Sequence, residues 1–161
     1  MKDGEFKIRQ NPDWAVNYGD DGGNGTIDAG GANVVAKKGT YLITVNFKEN
    51  KMTVEKITNL WGIVGSGYND WGATPDFAFA PDFANFSKDF DTKGVWIAQN
   101  VTLKTGEIKF RANSDWAVNY GDDGANGTLE AGGANIAVTA GKYDVILDFS
   151  KSTPVYKITK K

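Results

Sequence analysis

Glu107, Lys109 and Arg111 alternate with Ile108 and Phe110, and Asn113, Asp115, Trp116 and Asn119 follow closely behind. In an extended chain successive side chains point to opposite faces. If Ile108 and Phe110 face a core, Glu107, Lys109 and Arg111 share the outer face, with two cations side by side. Planar hydrogen-bonding groups next to an indole are the chemistry that binds sugars. The C–H patches of a pyranose stack on an aromatic face, and its vicinal hydroxyls pair with Arg, Lys, Asn and Asp. The competing reading makes Lys109 and Arg111 solvated surface cations and Trp116 a core tryptophan. For Trp116 the two readings weigh equally.

Trp71 stands in a different context. It lies in Gly65-Ser66-Gly67-Tyr68-Asn69-Asp70-Trp71-Gly72, a polar loop with no apolar periodicity to account for an indole. Loops sit on surfaces and carry binding residues, so Trp71 is expected to be a ligand platform ahead of a lid over a sheet edge. Trp61 and Trp96 fall inside apolar strand patterns and are expected in the core.

Composition removes much alternative chemistry. Cysteine and histidine are both absent, so Ser/His/Asp and Cys/His nucleophiles, thiolate chemistry, disulfides and ordinary zinc sites are excluded. The run Tyr120-Gly121-Asp122-Asp123-Gly124 opens a glycine-rich segment with several oxygen donors. A calcium loop starting at Asp122 would need an acid or amide where Gly124 stands and a glutamate where Gly133 stands, so that motif fails. No phosphate-binding glycine signature lies between a strand and a helix either. The segment reads as a tight loop, with glycines at positive φ and Asp and Asn making local turn bonds. Glycoside hydrolysis needs two carboxyls about 5 Å or about 6.5–9.5 Å apart in a cleft, and nothing marks such a pair. The expectation is therefore no catalysis, no cofactor and no metal.

The elements that hold these residues are strands. Leu60–Val64, the run from Gly94 to Leu103, Ile108–Arg111, Tyr143–Phe149 and Val155–Thr159 combine β-branched and aromatic residues with period-two alternation. Gly106 and Gly141 mark turns. The exception is 82–90, where Phe83, Phe86 and Phe90 fall at helical spacing and allow a helical turn, close to a strand-like run at 76–79.

An internal repeat governs the organisation. Residues 4–33 (GEFKIRQNPDWAVNYGDDGGNGTIDAGGAN) recur at 106–135 as GEIKFRANSDWAVNYGDDGANGTLEAGGAN. The correspondence runs on through Gly39/Gly141, Tyr41/Tyr143 and Phe47/Phe149, then slips by one residue to match Lys56-Ile57-Thr58 with Lys157-Ile158-Thr159. Residues 59–104 have no second copy. The chain thus reads as 1–58, the C-terminal half of a β-sandwich module, followed by 59–161, a complete module of a size suited to an Ig-like antiparallel sandwich. Half a sandwich leaves apolar strand faces at Phe6, Ile8, Tyr41, Ile43, Val45 and Phe47. Self-association through 1–58 is the expected consequence.

The net charge of only −2 in 161 residues argues against nucleic acid as a partner and suits a neutral one. No apolar run reaches the length of a membrane helix, and Met1 opens onto Lys2, Asp3 and Glu5. Neither a signal peptide nor direct membrane insertion is expected of this sequence.

The run GEIKFRANSDWAVNYGDDGANGTLEAGGANIAV, followed by GKYDVILDFS and PVYKIT and preceded by LWGIVGSGYNDWG, resembles the C-terminal modules of the SusE/SusF-type surface starch-binding lipoproteins of Bacteroidetes. The likeness spans 59–161, and 1–58 resembles the second half of the module before it. It implies tandem β-sandwich carbohydrate-binding modules on the bacterial cell surface, anchored to the outer membrane by an N-terminal lipid in a longer parent and binding α-glucan without cleaving it. In that family two aromatic residues and Arg, Lys or Asn side chains form the site. The similar positions here are Trp71, Trp116, Lys109, Arg111 and Asn119. Two alternatives stay open: a structural or protein-contact Ig-like spacer of a surface protein, and a module for another neutral polysaccharide.

Overall fold

A computed structural model describes residues 1–85 and 93–161. The chain is all-β and divides into two compact units, Met1–Thr58 and Asn59–Lys161.

In the first unit, β1 (Gly4–Phe6) pairs with β5 (Val34–Ala36). β2 (Ile8–Arg9), β3 (Asn17–Gly19) and β4 (Asp28–Ala29) form a three-stranded sheet in that order, and β6 (Thr40–Asn46) forms a hairpin with β7 (Lys51–Ile57). All pairings are antiparallel. Burial is thin here: Ile27, Ala36, Met52 and Ile57 are buried, while Trp14, Val35 and Phe47 are exposed.

The second unit adds β8 (Trp61–Val64), β9 (Phe77–Ala78), β10 (Ala80–Pro81), β11 (Val95–Leu103), β12 (Gly106–Ala112), β13 (Asn119–Gly121), β14 (Glu130–Ala131), β15 (Ile136–Val138), β16 (Gly141–Asp148) and β17 (Val155–Lys160). One sheet runs β14-β13-β12-β8-β9, with β15 also pairing to β12, and the other runs β10-β11-β16-β17. Alternation decides what lies between them. β12 turns Ile108 and Phe110 inward, β11 turns Trp96, Ala98, Val101 and Leu103, and β16 turns Tyr143, Val145 and Leu147; all are buried. Phe110 on the first sheet meets Tyr156 on the second with ring centroids 5.7 Å apart, so the two sheets pack face to face in a sandwich-like arrangement.

β8 is buried along its whole length, as its uninterrupted apolar run requires. Trp61 stacks on Phe149 (4.7 Å, 22° between planes) and meets the edge of Tyr120 at 5.5 Å. Trp96 has no exposed surface. Both tryptophans are core residues, as their strand patterns predict. The strand-like run at 76–79 contains β9. Of the helical turn at 82–90, only a 3-10 turn at Phe83–Asn85 is seen; Phe86 and Phe90 lie outside the described residues.

Candidate functional site: a tryptophan pair on a buried ion pair

The site is assembled on the outer face of β12. Arg111 stands opposite Gly62 of β8 on one side and Asn119 of β13 on the other. Alternation places Arg111 away from the core, where a solvated cation is expected, yet only 6% of its surface is exposed. The reason is Asp76. Gly62 has no side chain, and a Cβ there would come within 2.7 Å of the Asp76 Cβ. The carboxylate fills that space and accepts two bonds from one guanidinium, from Nε at 2.7 Å and Nη2 at 2.8 Å. This is the bidentate fork that arginine favours. The Asp76 hydrogen bond outweighs desolvation and holds the guanidinium above its ordinary pKa.

Trp116 closes the pair from above. The Arg111 guanidinium carbon lies 4.6 Å from the centre of its ring, within cation–π range. The Trp116 loop begins with Asn113 and Ser114 at φ 58° and 56°. It is held by the Asp115 carboxylate, which accepts the Ala117 N–H at 2.8 Å. The Asn119 amide donates to the Trp116 carbonyl at 2.8 Å. Asn119 therefore fixes the backbone that carries the indole; its Oδ1 is buried without a partner among the described residues.

Trp71 arrives from the other side. Asn69, 4% exposed, organises its loop: Oδ1 accepts the Gly65 N–H, and the amide donates to the Thr74 carbonyl and to Asp76. The Asn69 carbonyl accepts the Gly72 and Ala73 N–H groups. Asp70 and Trp71 both adopt left-handed backbone, at φ 51° and 63°, which for such residues costs on the order of 1 kcal/mol each. Gly72, at φ 111°, leaves room for Arg111: a Cβ there would sit 3.2 Å from Nη2. The Trp71 and Trp116 rings lie 6.0 Å apart with 40° between their planes, and they are 37% and 44% exposed. Trp116 is thus no sandwich-core residue.

Lys109 is drawn elsewhere. Its ammonium donates to the Gly132 carbonyl at 3.2 Å, and burial pulls its pKa below the ordinary value while Asp123 opposes the shift. Its contacts are with the glycine-rich loop. In that loop Asp122 accepts the Asn126 and Gly127 N–H groups and the Tyr156 hydroxyl, Asp123 accepts the Ala134 N–H, and Gly124, Gly127 and Gly132 take positive φ.

Trp71, Trp116 and Arg111 therefore come together, Asn119 supports them from below, and Lys109 secures a neighbouring wall. Asp76, Asn69, Gly62 and Gly72 also build the site, without a sequence signal that marks them. Asp76 lies 35 positions from Arg111, and nothing local distinguishes it from a surface aspartate. What the arrangement offers chemically is two non-coplanar aromatic faces on a rigid, charge-compensated base. No family model and no curated protein matches the chain.

Proposed function

We propose that residues 59–161 form an Ig-like, non-catalytic module that binds a neutral polysaccharide, with α-glucan as the favoured ligand. The observation that carries this reading is the exposed Trp71–Trp116 pair, backed by a buried ion pair. Two apolar rings held in water by strained backbone and a packed charge pair have no folding role that requires their exposure, and strain of this kind gathers at binding sites. The 40° between the rings suits a curved chain of sugars better than a flat ribbon, which would call for coplanar platforms. Because the Arg111 charge is already matched by Asp76, a neutral ligand meets a site with little unbalanced charge. The resemblance to surface starch-binding lipoproteins supports the same ligand class and a place on the bacterial cell surface.

The test is calorimetric titration with α-glucan, mannan and xylan oligosaccharides. Trp71→Ala and Trp116→Ala should each weaken α-glucan binding roughly tenfold, the scale of a lost stacking contact of ~0.5–1.5 kcal/mol. Trp71→Ala should leave the melting temperature nearly unchanged, and binding should depend little on salt. Retention of full affinity by both variants would remove the pair from the site. Absence of binding to every glycan would favour the spacer reading.

A further inference from the structure

Asparagine precedes glycine at Asn24–Gly25 and Asn126–Gly127, once in each copy of the repeat. Such a dipeptide can modify itself. The glycine nitrogen attacks the asparagine Cγ, the Cγ–Nδ2 bond breaks, and ammonia leaves with the proton that the attacking nitrogen gives up. Water then opens the succinimide ring at either carbonyl, leaving aspartate or isoaspartate. Glycine favours the reaction because it has no side chain to shield its nitrogen and its backbone turns easily.

Both copies hold the dipeptide in one arrangement. In the second, Asp122 Oδ1 accepts the Asn126 N–H at 3.0 Å and Oδ2 accepts the Gly127 N–H at 2.9 Å. In the first, Asp20 does the same for Asn24 and Gly25, both at 2.9 Å. The glycine carbonyl is pinned as well: Gly127 accepts the Tyr156 N–H at 3.0 Å, and Gly25 the Met52 N–H at 2.8 Å. The asparagine Oδ1 accepts the N–H of Thr128 or Thr26 at 2.9 Å. Asn126 is exposed, so burial does not shield it from water.

Each contact opposes ring closure. The Gly127 nitrogen must lose its proton and swing towards Cγ. Losing the proton beside a carboxylate sets two negative charges side by side, and the swing breaks a hydrogen bond to a charged acceptor, one of the stronger kinds. Asp122 is 4% exposed and accepts the Tyr156 hydroxyl at 2.8 Å, so the clamp is anchored in the opposite sheet.

We propose that Asn126–Gly127 is a latent self-modification site, closed while Asp122 holds the glycine N–H and reactive once the loop leaves that carboxylate. The change is one-way. The Thr128 hydroxyl contacts both Asn126 Oδ1 and a Glu130 carboxylate oxygen. After the reaction it faces two carboxylates, which repel each other, and the isoaspartyl product also lengthens the main chain. Residue 126 thereby keeps a covalent record of loop opening. The inference rests on the loop and stands whether or not the Trp71–Trp116 pair binds a glycan.

The test is peptide mass spectrometry that resolves Asn, Asp and isoaspartate at position 126, on the full chain incubated at mildly alkaline pH, native or in denaturing urea. The native chain should react at least roughly tenfold more slowly than the denatured one, the scale of a bond to a charged group. Asp122→Ala should remove most of that protection, and Tyr156→Phe should speed the native reaction severalfold. Val101→Ala, which weakens the core beside Tyr143 and away from Tyr156, should leave the rate unchanged. Equal rates in the native and denatured chains would overturn the proposal. So would acceleration by Val101→Ala equal to that by Asp122→Ala, which would make global unfolding the route. If Asp122→Ala does not fold, Tyr156→Phe against Val101→Ala decides in the same way. Asn126→Asp should lower the urea midpoint, and an unchanged midpoint would overturn the one-way step.

Discussion

Arg111 shows what alternation along a strand reveals and what it leaves out. Period two correctly sets it on the face opposite Ile108 and Phe110, but the face a side chain occupies does not say what covers that face. The cover comes from Asp76 and Trp116, which chain topology alone brings together. Trp71 was legible because an indole in a polar loop has no local explanation; Trp116 was not, since its spacing fits core and surface equally. Asp76→Ala should therefore be far more damaging than a surface substitution. It leaves a guanidinium buried without its counter-ion, a change that costs about 3–5 kcal/mol, whereas an exposed pair such as Lys104–Asp70 contributes at most about 1 kcal/mol. Urea denaturation of the two variants Asp76→Ala and Asp70→Ala gives the comparison, and equal small losses would mean that Arg111 is solvated in solution.

At the level of elements, the strands of the second unit follow the sequence closely because β-branched alternation and burial agree there. The glycine-rich loop follows it too, down to its positive-φ glycines. Less legible was the way this loop is fastened. Asp122 bonds the Tyr156 hydroxyl at 2.8 Å, tying the loop between β13 and β14 to β17 in the opposite sheet. Burial acts to raise the Asp122 carboxyl, but the bonds from Gly127, Tyr156 and Asn126 prevail and hold it below the usual carboxylate range. Burial, and then Asp122 itself, push the Tyr156 phenol above its ordinary value. The signs follow from linkage. The carboxylate's contribution is complete above the ordinary aspartate value of about 4 and is lost as pH falls through its lower folded value. The phenol's contribution is complete below about 10 and is lost as pH rises towards its higher folded value. Asp122→Asn should accordingly flatten the acid limb of the stability profile and Tyr156→Phe the alkaline limb, both measured as denaturation midpoint against pH. An unchanged acid limb in Asp122→Asn would place the acid sensitivity in other carboxylates.

For the molecule as a whole, the two units differ in how much they bury, although nearly all of the first recurs as the second half of the other. The largest fully buried side chains all belong to 59–161, among them Trp96, Phe110 and Ile63, and hydrophobic burial is the main source of stability. In the first unit the position of Tyr156 is taken by Glu55, whose Oε2 is buried without a partner among the described residues. Residues 1–58 should therefore open first, their amides exchanging at lower denaturant than those of β11, β12 and β16. Simultaneous loss of protection would mean that the two units unfold as one. The duplication also turns the chain into its own reference sample. Tyr18 and Tyr120, Trp14 and Trp116, Arg9 and Arg111 occupy near-identical local sequences, the second of each pair beside β8 and the first, among the described residues, without such a strand. Any difference in chemical shift, ring-flip rate or indole fluorescence lifetime within such a pair, recorded in one tube at one temperature and pH, reports what residues 59–104, Trp61, Trp71 and Asp76 among them, add around the second copy.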